Sequence, residues 1–228
     1  MASVDLHALV LADGEVPGRA DLDRAWPGWD DRIRLVIAAD GGAGHAADLG
    51  FRVDRLVGDM DSVSPGLLET LAAAGVAIER SSVEKDETDL ELALIAAAAG
   101  GATRITILGA LGGPRVDHAL ANVGLLGHPV LVGRDVQLYD ERAARVSLLL
   151  GPVVAVARGR IGDLVSLLPF GATVTGVTTH GLRYPLVAES LVLGRTRGVS
   201  NVRTATDARI ALEAGRLLVI ETPATVGP

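Results

Sequence analysis

The chain contains no cysteine. Disulfides, thiolate metal sites and cysteine nucleophiles are thereby excluded, and a reducing compartment fits. Aromatic residues are scarce: two Trp, two Tyr and two Phe among 228 residues that are 49% hydrophobic. The core must therefore be built from Ala, Val, Leu and Ile. No basic block or basic–aromatic pattern offsets the net charge of −7, so a nucleic-acid groove is not expected. The longest aliphatic stretch, residues 92–99, is far too short to cross a bilayer. Asp5 and His7 fall where a signal peptide would need an unbroken apolar core. The expectation is a soluble, cytoplasmic protein that binds neither nucleic acid nor membrane. An acidic surface still admits a phosphate ligand if bound metal neutralises it locally, and it favours a cationic substrate.

What is present divides into two textures. Residues 1–133 alternate apolar strand-like runs (6–12, 35–39, 55–57, 77–79, 104–108 and 130–132) with helical patterns at 43–49, 65–74, 86–99 and 117–126. That alternation is the signature of βαβ units around a mostly parallel sheet. From residue 134 to 228, short β-branched runs recur at 145–150, 153–157, 164–167, 173–177 and 217–220, punctuated by Gly and Pro. Glu213-Ala214-Gly215-Arg216 reads as a hairpin turn. The fold class expected is α/β, with an N-terminal mostly parallel α/β domain followed by an all-β sandwich domain.

Chemistry-bearing residues follow the strands of the first region. Asp59 and Asp61 leave the end of a strand in Val57-Gly58-Asp59-Met60-Asp61-Ser62. In an open α/β sheet that edge is where ligands bind, and paired carboxylates suit a hard cation that brings phosphates with it. Asp-x-Asp equally suits a plain turn. Asp40-Gly41-Gly42-Ala43 ends another strand, where glycines allow close backbone approach and a helix N-terminus offers N–H groups to an anion. In Lys85-Asp86-Glu87-Thr88-Asp89, Asp86 could cap the following helix, with Asp89 in its first turn. Lys85 could meet a phosphate as a point charge. Residues 109–118 form a small-residue loop carrying Arg115, which can bridge phosphate oxygens, then Asp117 and His118. His118 reads as a structural residue at a helix start. Each acidic motif follows a separate strand of one sheet, so the carboxylates share an edge, and together with Lys and Arg they describe a metal–phosphate site.

These motifs, in this order, resemble thiamine pyrophosphokinase, and Gly181-Leu182-Arg183-Tyr184-Pro185-Leu186 and Ser200-Asn201 extend the match over nearly the whole chain. The resemblance implies an ATP-binding catalytic α/β domain (1–133) and a thiamine-binding, dimerising β-sandwich (134–228). It implies a homodimer, with ATP as cosubstrate, Mg²⁺ as metal and thiamine as acceptor at the dimer interface. It places Asp59, Asp61 and Asp89 around Mg²⁺, and Asp40, Gly41, Gly42, Lys85, Asp86 and Arg115 about ATP. Asp117 falls by the transferred group, joining Asp59, Asp61 and Asp89 as catalytic residues. Tyr184 would stack on thiamine, with Ser200 and Asn201 lining the same pocket. Two departures stand out. Pro114 lengthens the usual Gly-Gly-Arg-x-Asp-His loop, and Tyr184 stands where some members carry tryptophan. A metal-dependent nucleotide phosphohydrolase would use the same carboxylates without a thiamine pocket. A non-catalytic nucleotide or thiamine sensor would bind without turnover.

Overall fold

A computed structural model describes residues 5–224. The chain divides into two compact units, 1–142 and 143–228. In the first, six strands run β1 (His7–Leu11), β2 (Ile33–Ala39), β3 (Arg55–Gly58), β4 (Ala77–Arg80), β5 (Arg104–Leu108) and β6 (Asp135–Tyr139). They pair in the order β6-β5-β1-β2-β3-β4, every pairing parallel. The chain therefore builds outward from β1 to β4, then crosses back to place β5 on the other side of β1. That reversal leaves a crevice at the carboxyl ends of β1 and β5.

Four helices accompany these strands: α1 (Arg19–Ala25), α2 (Pro65–Ala73), α3 (Asp89–Ala99) and α4 (Val116–Leu125). Every residue of β1 is buried, as expected of a central strand covered on both faces. Helix α3 packs across β1, β2 and β3, with small Ala93, Ala96 and Ala97 beside buried Leu90 and Leu94. Four of the six aromatics form two contacts in this unit. Trp26 lies 6.1 Å from Tyr139 and Trp29 5.9 Å from Phe51, centroid to centroid.

Several local expectations are corrected. Residues 130–132 are not a strand. Pro129 opens a 3₁₀ turn, Pro129–Leu131, Gly133 turns the chain at φ 78°, and the strand that pairs parallel with β5 is β6. Strand β6 lies within the first compact unit, 1–142. Residues 43–49 do not form an α-helix. Three glycines within Asp40–His45 disfavour it, and the segment takes the tighter 3₁₀ form.

The second unit is antiparallel throughout. Its strands are β7 (Arg145–Leu150), β8 (Val153–Val156), β9 (Leu164–Pro169), β10 (Val174–His180), β11 (Glu189–Leu191), β12 (Asn201–Val202), β13 (Arg209–Leu212) and β14 (Arg216–Thr222). One layer runs β12-β9-β14-β7, the other β11-β10-β13-β8. Val165, Leu167, Val174, Val177, Ile210, Leu212, Leu217 and Val219 fill the core they share. The turn at 213–216 is not a hairpin. It carries the chain from β13, paired with β8 and β10, to β14, paired with β7 and β9.

Candidate active site

The carboxyl edge of the parallel sheet opens into a cavity of about 640 Å³. Its wall takes Ala12, Asp13, Gly14 and Glu15 from the loop after β1, Asp40 from the end of β2, and Asp59, Asp61 and Ser62 from beyond β3. Thr88 and Asp89 come from the start of α3, Gly109, Ala110 and residues 112–115 from the loop after β5, and His118, Ala119 and Asn122 from α4. The cavity thus sits at the reversal of strand order. The two loops that flank it are tied together, since Ala12 N–H donates to Leu108 O at 2.9 Å and Gly14 N–H to Gly109 O at 2.8 Å.

Three carboxylates meet there. Asp40, Asp59 and Asp89 each offer an oxygen, all within 4.8 Å of one another. Asp40 is 5% exposed and holds a left-handed backbone at φ 47°. Its Oδ2 accepts from Ser62 N–H at 3.1 Å, while Oδ1 is buried with no hydrogen-bond partner among the described residues. Burial raises its pKa above the ordinary carboxylate range, with Asp61 and Asp89 adding to the rise and Ser62 opposing it. Asp59 Oδ1 accepts from Asp61 N–H at 3.2 Å. Asp89 occupies the first turn of α3, whose cap is Thr88, accepting from Glu91 N–H at 3.2 Å. Gly58 passes between them. A Cβ there would lie 3.1 Å from both Asp40 Cβ and Asp89 Oδ1, tighter than ordinary contact, and φ 148° also favours glycine at this position.

An all-oxygen donor set suits a hard divalent cation. The orphaned Oδ1 of Asp40 points the same way, because buried polar atoms ordinarily have partners. The residues present fit such an ion. Lys85 stands beside the triad, its Nζ 2.6 Å from Asp89 Oδ1, 2.8 Å from Ser81 Oγ and 3.9 Å from Asp59 Oδ2.

The remaining expected residues are distributed unevenly. Asp61 is in the wall but outside the triad, exposed, and accepts from Ser62 Oγ–H at 3.0 Å. Asp86 is exposed, outside the wall, and not the helix cap. Gly41 and Gly42 are absent from the wall too. They let the 3₁₀ turn press against the end of β1 and the loop after it, where a Cβ on Gly42 would come within 2.3 Å of Leu11 O and one on Gly41 within 2.1 Å of Asp13 Oδ1. From its cap position Arg115 joins His118, Ala119 and Asn122 of α4 in the cavity wall, and Asp117 falls off that face. Arg115 grips Asp117 through Nε–Oδ1 at 3.2 Å and Nη2–Oδ2 at 2.5 Å. That hydrogen bonding holds the Asp117 carboxyl down at about 2. Asp13, Glu15 and Asn122 were not anticipated as wall residues. Asp13-Gly14 directly after a strand was the available signal, but the strand order that gives it meaning is not written locally.

In the second unit, Asn201 and Tyr184 come together. Tyr184 N–H donates to Asn201 Oδ1 at 2.9 Å, and Asn201 Nδ2–H donates to Tyr184 O at 2.7 Å. Asn201 is 4% exposed, so its amide is occupied in shaping the loop, while Tyr184 is 56% exposed. Ser200 holds φ 57° and donates its N–H to Ser166 Oγ at 3.0 Å.

A carboxylate-rich cavity at the strand-order reversal of a parallel sheet is the arrangement of the α/β enzymes that handle nucleotides. Residues 29–138 match the family described as thiamin pyrophosphokinase, catalytic domain, and residues 153–217 match thiamin pyrophosphokinase, vitamin B1 binding domain. The chain belongs to the thiamin pyrophosphokinase family. The thiamine pyrophosphokinase of Bacillus subtilis is 28% identical over 193 residues, covering 85% of this chain and 89% of that protein. Thiamine pyrophosphokinase 1 of Oryza sativa subsp. japonica is 29% identical over 240 residues, covering 94% and 86%. The crystal structure of the Bacillus subtilis enzyme superposes with a TM-score of 0.82 at 26% identity, over 96% of this chain and 99% of that one. A family member from Enterococcus faecalis gives 0.76 at 26% identity, over 95% and 98%.

Proposed function

We propose that this chain transfers a pyrophosphoryl group from ATP to the hydroxyl of thiamine, giving thiamine diphosphate and AMP. The thiamine hydroxyl attacks the β-phosphorus and AMP departs. Family membership supports the substrates. The observation that carries the site is the triad Asp40, Asp59 and Asp89 with its orphaned, buried Oδ1. The wall also holds Asp13, Glu15 and Asp61, against Arg115 as its one guanidinium or ammonium group among the described residues. A triphosphate entering so acidic a cavity needs a cation. We assign Mg²⁺ to Asp40, Asp59 and Asp89; when bound, it neutralises charge on the phosphates during transfer. The hydrolase and sensor readings draw no support from the family match.

The chain's own residues then do the following. Arg115 contacts phosphate oxygens from the cavity wall. Asp117, ionised and off the cavity wall, steadies the Arg115 guanidinium and is a poor proton acceptor at neutral pH, because its conjugate acid is too strong. Gly41 and Gly42 set the backbone under the loop after β1, and Asp61 faces the nucleotide from the wall. In the second unit Tyr184 offers an aromatic face to the flat, cationic thiamine. Asn201 positions Tyr184, and Ser200 lines the same pocket. We place the working enzyme in the cytoplasm as a homodimer. No helix among the described residues is long and apolar enough to cross a membrane.

Two variants test this. Asp59→Asn lowers turnover by more than the roughly 100-fold that outer-shell changes at metal sites cost, with an unchanged circular dichroism spectrum. Tyr184→Ala raises KM for thiamine by about tenfold and leaves KM for ATP in place. A shift in the ATP constant alone would contradict the assignment of Tyr184.

A further inference from the structure

Lys85 is committed before any ligand arrives. Its side chain is 13% exposed, and its ammonium is engaged by Asp89 and Ser81 with Asp59 close by. It stands behind the cavity wall, against Asp89 and Asp59, which are part of that wall. It neutralises only part of the triad, since Asp40 Oδ1 stays buried and unpartnered. One positive charge is thus tethered among three carboxylates by a long, flexible stem. Residues 81–88, which carry it, form no helix or strand.

We propose that Lys85 is a built-in counter-ion that a divalent cation displaces, and that the displaced ammonium then turns to the nucleotide phosphates. The proposal rests on the triad being the metal site. A divalent ion and an ammonium a few ångströms apart repel, and both draw on Asp89 and Asp59. Cation entry therefore weakens the hold of Asp89 on Lys85, and a polyphosphate in the cavity offers the freed ammonium a new partner. Metal and nucleotide binding become mutually favourable through this one side chain, and by linkage the coupling is reciprocal.

The test is direct Mn²⁺ binding to the metal-free full-length protein, read by electron paramagnetic resonance of free Mn²⁺. It is run with and without a non-hydrolysable ATP analogue. Without nucleotide, Lys85→Met binds Mn²⁺ on the order of tenfold more tightly than the parent, the effect of removing a unit charge beside a divalent ion. Lys85→Arg, which keeps the charge, stays close to the parent. The analogue tightens Mn²⁺ binding by a larger factor in the parent than in Lys85→Met. Lys85→Gln repeats the measurement if the methionine variant fails to fold. Unchanged or weakened Mn²⁺ binding in the uncharged variants overturns the proposal. Asp59→Asn separates the two levels. If it loses Mn²⁺ while Lys85→Met behaves like the parent, only the lysine proposal fails. If Asp59→Asn binds like the parent, the metal assignment fails and the lysine proposal with it.

Discussion

Asp40 ties sequence to chemistry most tightly, because it accepts a cost in folding for the sake of the site. Its carboxylate is buried at a left-handed turn, one oxygen is unpartnered, and its pKa is raised. A raised carboxylate pKa means that the folded state prefers the protonated form. The preference is fully present at low pH and is lost as pH rises through the folded pKa, leaving the metal-free protein to carry an unfavourable charge at neutrality. Asp40→Asn keeps an oxygen for Ser62 N–H and removes that charge. The metal-free variant should melt higher than the parent at neutral pH, by about 2–4 °C if the relief is near 1 kcal/mol. The difference should shrink on acidification while activity is lost. A scanning calorimetry series across pH checks this, and a variant that melts lower at neutral pH would show the buried carboxylate to be stabilising. Asp59, Asp89 and Lys85 were legible in sequence because each sits in a short acidic motif just past a strand. Membership of Asp40 in the triad was not. Its oxygens reach the group beside Gly58, whose missing side chain eases the approach, and such a contact is set by tertiary packing.

Among the elements, α3 matters most to the site. Thr88 caps it, Asp89 opens it, and the loop before it carries Lys85. Thr88→Ala should cost about 1 kcal/mol of stability, the usual loss for a removed cap. It should reduce turnover as well, because fraying of the first turn loosens Asp89. Chemical denaturation paired with steady-state kinetics on one sample separates the two effects. A stability loss with unchanged turnover would mean that Asp89 keeps its working position without the cap. The strands β1, β2, β3 and β5 were readable as apolar runs ended by turn residues, and so were the starts of α2 and α4. Element β6 was misplaced because Pro129-Val130-Leu131-Val132 is as apolar and β-branched as a strand. Only the proline and Gly133 show that it turns. Helix α1 spans seven residues with two buried positions, too short for its period to register. Strands β11, β12 and β13 are two to four residues long and gain their identity from partners distant in sequence.

At the scale of the whole molecule, the two textures of the sequence correspond to two units with different connection rules. Helical crossovers give the first unit its parallel sheet. Tight turns between β-branched runs give the second unit its antiparallel layers. The second unit also buries charge. Arg145 pairs with Glu221, which additionally accepts from Arg158 N–H, and burial raises the Glu221 pKa against the opposing pull of Arg145. Arg203 is likewise buried, its guanidinium donating to the carbonyls of Gly159, Ala205 and Thr206. The order of strands in the first unit was the piece of global information missing from the sequence, and it decides the site. It brings the loop after β1, with Asp13 and Glu15, against the loop after β5. The central claim is that these parts serve pyrophosphoryl transfer to thiamine. It is tested most directly by measuring AMP release from ATP and Mg²⁺ with and without thiamine, alongside thiamine diphosphate. The account predicts AMP that depends on thiamine and appears in equal amount with thiamine diphosphate. AMP or phosphate released at the same rate without thiamine would contradict it.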